Sequence, residues 1–126
     1  MTGADSEHVH AEDGFTLIEL LVVVVIMAIL VAIAAGFQVS ARERAGDATA
    51  RSNIRTAVPA MEAYQADNGG FTGMTEAYLK NRYSPGIQGI AVVSATPASY
   101  CVSATAGGRT WYKAGPGGSI TTAACS

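Results

Sequence analysis

Charge is what this sequence most conspicuously lacks. Only 14% of its side chains are Asp, Glu, Lys or Arg, against about 25% in an average soluble domain. The shortfall is local, because no charged residue falls between Glu19 and Arg42. Histidine is confined to His8 and His10, so the chain beyond residue 10 has no imidazole to serve as general base or metal ligand. There are two cysteines, Cys101 and Cys125, and no C-x-x-C, which argues against a zinc site. The glycine-rich pieces match neither a P-loop nor G-x-G-x-x-G and read as turns rather than phosphate cradles. No cofactor or metal is expected.

What is present begins with an apolar run from Leu20 to Val39, interrupted only by Gly36 and Gln38. Twenty helical residues reach roughly 30 Å, the thickness of a bilayer's hydrocarbon core. The run is apolar all round, which places it in lipid or in a large buried bundle. Ala32-Ile33-Ala34 resembles a secretory cleavage site. The preceding residues carry no basic cluster, however, and Glu19 stands at the start of the run, so ordinary signal-peptide removal is the weaker reading.

Past Ala41 the composition changes without a loop signal. Ile54, Ala57, Val58, Met61 and Tyr64 recur at helical spacing and make one apolar stripe, with Arg51, Arg55 and Glu62 off it. Asp47 and Arg51 are four apart in the order that supports a helix. Pro59 should kink the segment, and Asp67-Asn68-Gly69-Gly70 should end it. Residues 15–67 are therefore expected to form one helix of roughly 80 Å.

The remaining residues change character again. Thr75 to Leu79 suits a short helical turn. Short β-type runs follow at 90–95, 99–105, 109–114 and 119–123, with Gly107-Gly108 as a hairpin turn and Gly115-Pro116-Gly117-Gly118 as a further loop. This predicts an antiparallel meander of three or four strands and an α+β fold. So small a head is marginal alone. The helical stripe can cover one face of the sheet. If an apolar N-terminal segment means export, Cys101 and Cys125 should form a disulfide, the alternative being two buried thiols.

The string that carries function is Gly14-Phe15-Thr16-Leu17-Ile18-Glu19, running directly into the apolar helix. It resembles the processing site of type IV prepilins and type II secretion pseudopilins. That resemblance implies four regions: a leader at 1–14 removed by a prepilin peptidase, a transmembrane and filament-core helix at 15–40, the amphipathic half of the same helix at 41–68, and a β head at 69–126. It also implies cleavage after Gly14 and N-methylation of the new terminal residue, Phe15. The partners it implies are copies of the same chain, the peptidase, an inner-membrane assembly platform with an ATP-driven motor, and membrane lipid before assembly. The location it implies is the cytoplasmic membrane for the precursor and the cell surface for the fibre. Cleavage also removes both histidines, so no Ser/His/Asp or Cys/His set survives and enzymatic activity is not expected.

The chemistry of the string stands beside the resemblance. Glycine before the cut leaves the backbone open to a protease. Residues 1–14 hold Asp5, Glu7, Glu12 and Asp13 and no Lys or Arg, while the rest has eight basic and six acidic side chains. Removing the leader thus strips four negative charges and exposes an amine on Phe15. A carboxylate in hydrocarbon costs something like 2.5–3.5 kcal/mol, so Glu19 needs a partner, and the Phe15 amine of its own or a neighbouring chain is the natural one. Thr16 and Glu19 also fit a capping box, in which Glu19 would serve only local helix chemistry.

Two departures from the family pattern stand out. The leader is acidic where such leaders commonly carry Lys or Arg, and Arg42 with Arg44 would place the C-terminal side in the cytoplasm by the positive-inside rule. The motif outweighs that count here. Gly36 sits where many pilins have a helix-breaking proline, which predicts local softening of the helix. Within the superfamily the pilus subunit is the first reading, a major pseudopilin the second, and a minor DNA-uptake pilin the third. Lys80, Arg82, Arg109 and Lys113 with Tyr83, Trp111 and Tyr112 would be the DNA surface, although a solvated face over core aromatics is the plainer account.

Overall fold

A computed structural model describes residues 14–126 of the chain. The elements in order are α1 (Leu17–Asn68), α2 (Glu76–Arg82), β1 (Ala91–Ala95), β2 (Tyr100–Ala106), β3 (Arg109–Gly115) and β4 (Ile120–Thr121). The chain divides into two units, with a boundary between Gln38 and Val39; each is taken by itself. The leader, with His8 and His10, lies outside the described residues apart from Gly14.

In the first unit everything from Leu17 onward is α1. Its large side chains are all exposed, from Leu17 at 82% to Val22 at 47%. The helix passes through Gly36 without interruption, and a Cβ at Gly36 would meet nothing within 4 Å.

The second unit has a conventional core. The stripe read from the sequence lies inside it: Ile54, Ala57 and Met61 are fully buried and Tyr64 nearly so. They meet Phe71, Leu79, Ile87, Tyr100 and Val102 in one cluster, where the Phe71 and Tyr100 rings contact edge to face at 4.8 Å. Pro59 lies inside α1 and does not end it. The Arg55 carbonyl forgoes its usual N–H there, and the buried neighbours Ala57 and Ala60 hold the segment helical, since tertiary burial outweighs one lost backbone bond. Gly69 ends α1 with φ of 76°, and its N–H donates to the Gln65 carbonyl at 2.8 Å. Thr75 is not part of the next helix but its N-cap, its hydroxyl accepting from the Tyr78 N–H at 3.2 Å.

The sheet is an antiparallel meander of four strands in sequence order. Gly107 and Gly108, with φ of 64° and 83°, form the two-residue turn between β2 and β3, a conformation β-branched residues resist. Cys101 and Cys125 are bonded, with Cα atoms 5.8 Å apart, which fixes the C-terminal tail to the central strand β2.

Three further contacts join α1 to the sheet, and none was legible in the sequence. Gly46 is buried because the β2–β3 turn rests directly on the helix backbone. A Cβ at Gly46 would lie 2.6 Å from the Gly107 Cα. Asp47 does not pair with Arg51. Its carboxylate accepts from Arg109 Nη1 at 3.0 Å and from Trp111 Nε1 at 3.1 Å. Arg51, expected off the packed face, instead places its guanidinium 5.1 Å from the Trp111 ring centroid. The physical reason is competition: an exposed pair four residues apart contributes about 0.3–0.5 kcal/mol. Two donors converging on a half-buried carboxylate contribute more.

Candidate functional site

Gly14, Phe15 and Thr16 precede the helix and are exposed. A side chain at Gly14 would meet nothing within 4 Å. The fold therefore makes no demand for glycine there. Phe15 is 86% exposed. The Gly14–Phe15 bond thus lies in non-helical chain just ahead of α1, where an enzyme can reach the backbone.

The helix start is held by the capping box. Thr16 Oγ1 accepts from the Glu19 N–H at 3.2 Å. Glu19 Oε2 in turn accepts from the Thr16 N–H and from Thr16 Oγ1, both at 3.0 Å. The Thr16 carbonyl accepts from the Leu20 N–H at 3.2 Å. Reciprocal capping satisfies donors that α1 would otherwise leave orphaned. It also folds the carboxylate back toward the N-terminus, onto the residue next to Phe15. Glu19 is thus engaged in local chemistry at the start of the helix.

From Leu17 to Val39 the large apolar side chains of the helix are exposed, and α1 contains a stretch long and apolar enough to cross a membrane. A helix with apolar side chains on every face cannot stay in water.

The residues singled out for DNA contact are engaged inside the head. Arg109 and the indole of Trp111 bind Asp47, Arg51 lies over the Trp111 ring, and the Lys113 ammonium donates to the Gly118 carbonyl. Tyr83 donates its phenol to Asp67 Oδ2 at 2.6 Å, and that bond is the main cause pushing its pKa up to about 12. Lys80 and Arg82 close the last turn of α2, where cations complement the helix dipole. Among the described residues no group of three or more His, Cys, Asp or Glu is placed to hold a metal ion.

Comparison with known proteins fits this geometry. A family model described as the prokaryotic N-terminal methylation motif matches residues 10–35, which span the Gly14–Phe15 bond, the capping box and most of the apolar run. A curated relative from Thermus thermophilus, the type IV wide pilus major component PilA4, is 38% identical over 106 residues. That alignment covers 82% of this chain and 81% of the relative.

Proposed function

The chain belongs to the type IV pilin family, and from that premise we propose that it is a structural subunit of a surface type IV pilus. A prepilin peptidase removes residues 1–14 by cutting after Gly14, and Phe15 is then N-methylated. The mature subunit waits in the cytoplasmic membrane with residues 15–40 in lipid. An assembly platform driven by an ATPase then transfers it into a filament made of copies of itself. Nothing in this role requires catalysis by the chain.

The observation that carries the proposal is a helix whose every large apolar side chain from Leu17 to Val39 is exposed, with a single carboxylate, Glu19, held at its start. Lipid and a bundle of identical helices are the two surroundings that such a segment tolerates. Moving between them changes hydrophobic energy little, because lipid is as apolar as leucine. The bias must come from packing and from polar pairing. In the precursor the Glu19 carboxylate is held by the Thr16 donors. Cleavage adds a cationic amine at Phe15, and a pair between Glu19 of one subunit and Phe15 of the next fixes their axial register while neutralising both charges in the filament core. Gly36, with space around it, is the point at which the helix softens on entering the filament.

Intact mass of protein sheared from the cell surface tests this reading. The expected species begins at Phe15, carries one extra methyl group and lacks two hydrogens for the Cys101–Cys125 bond. A surface protein that retains Met1, or that starts at Ala35, overturns it. Short fibres found only with a secretion apparatus, in place of long surface filaments, would assign the subunit to a pseudopilus.

A further inference from the structure

Arg42 and Arg44 are exposed and sit on the side of the span where the positive-inside rule does not expect them. We propose that they anchor the subunit to anionic phospholipid headgroups of the outward-facing leaflet while it waits in the membrane. The inference rests on the pilin reading and deepens it by naming the lipid class that holds the unassembled subunit and the residues that recognise it.

Depth is the first argument. The two arginines follow Val39 by three and five residues of continuous helix, about 4.5 and 7.5 Å at helical rise. The headgroup layer on each side of the hydrocarbon core is roughly 5–7 Å thick. Both guanidinium groups, on long flexible stems, therefore reach the phosphate level, and a guanidinium binds phosphate through two parallel hydrogen bonds.

Direction is the second argument. Residues two apart on a helix point about 200° away from one another. The β2–β3 turn rests on Gly46, which is four residues after Arg42 and on the same face, so Arg44, two residues before Gly46, projects on the far side of the helix. A docked protein surface covers one side of a helix, whereas a lipid leaflet surrounds it. Cations on opposite sides and only about 3 Å apart in depth fit the surrounding partner.

Availability is the third. Both arginines are exposed, and among the described residues neither guanidinium is paired with a carboxylate. Arg109 is held by Asp47 and Arg51 by Trp111, so the head's engaged arginines form a contrast within the same molecule. Glu43 lies between the two but, as a sequence neighbour of each, faces neither.

Each cation near an anionic surface raises local lipid occupancy by about fivefold, and Glu43 offsets part of that. The net expectation is a preference of about fivefold for an anionic over a zwitterionic lipid. The test uses the full mature chain in phosphatidylcholine vesicles with a minority of phosphatidylglycerol. Spin-labelled forms of the two lipids report how much of each is held at the protein. The expected result is that preference for phosphatidylglycerol, falling with added salt, dropping to parity in the double variant R42Q/R44Q, and persisting in R42K/R44K and in R55Q. Parity in the unsubstituted chain, or a preference that survives R42Q/R44Q, overturns the inference. So does a double variant that keeps its lipid preference but loses fibre yield, which would make a second copy of the chain the partner. Resistance to alkaline extraction is scored on the same vesicles. A chain that washes out contradicts the membrane reading itself, whereas one that stays in without lipid preference contradicts only the anchor.

Discussion

One helix, α1, serves two regions that bury their apolar side chains by opposite means. From Ile54 to Tyr64 it finds partners in its own chain, and its stripe disappears into the head core. From Leu17 to Val39 every large apolar side chain is left exposed. Both regions are regular α-helix. The difference lies in sequence pattern: a stripe recurring at three and four residues needs one covering layer, while a run apolar on all sides needs a solvent or a crowd of equals. The first pattern makes a fold and the second makes an assembly.

Substitutions in the two regions should separate those outcomes. The largest effect on folding is expected from Cys101→Ser. Closing a loop between residues 24 apart in sequence contributes about 3–4 kcal/mol in the chain-entropy model. Thermal melting of the detergent-solubilised chain should show the loss, and unchanged protease resistance would deny the bridge a stabilising role. Ile54→Ala should cost about 3 kcal/mol through a core cavity. Leu21→Ala, at an exposed position outside the head core, should leave the head's melting temperature where it was and lower fibre yield. Equal melting shifts from the two alanines would erase the distinction between the regions.

Glu19→Ala sharpens the assembly side. Processing at Gly14 continues, while fibre yield falls by roughly thirtyfold if the pair with Phe15 contributes about 2 kcal/mol. Normal yield of sheared fibres would remove Glu19 from the mechanism. Asp47→Ala should cost the head about 1–2 kcal/mol by releasing both Arg109 and Trp111, measured as a lower melting temperature and a change in indole fluorescence.

The smallest effect concerns pH. Tyr83 ionises near 12 because its hydroxyl donates to the Asp67 carboxylate, whereas an unfolded tyrosine ionises near about 10. A folded pKa raised in this way gives a contribution that is complete below about pH 10 and is lost as pH climbs through about 12. Asp67→Asn should bring that ionisation back toward about 10 in an ultraviolet titration. An unchanged titration would place the cause elsewhere.

Much of this architecture was legible from the residues. The helix ended at Asn68 because Gly69 could take a positive φ. The four strands fell close to their expected spans because Gly107-Gly108 and the 115–118 loop punctuate runs of β-type residues. Helical periodicity marked the buried stripe, and the cysteine pair marked the disulfide. What escaped was what depends on chain folding back over long distances. Asp47 and Trp111 are 64 residues apart, so the local rule named Arg51 as the partner instead. Gly46 looked like an unremarked small residue in a helix, because nothing in a linear reading says that a turn will land on it. At the start of α1, the Thr16–Glu19 box was visible as a pattern, yet the sequence could not say that the box would form and leave Gly14 and Phe15 outside the helix.

The bare backbone contact between Gly46 and the β2–β3 turn decides where this subunit can carry foreign sequence as a display scaffold. Peptide inserted between Gly107 and Gly108 would wedge against α1 and pry the sheet loose, whatever its composition. Cargo belongs at the exposed turn around Pro85 and Gly86, or between Pro116 and Gly117, where added length can grow outward without meeting the helix.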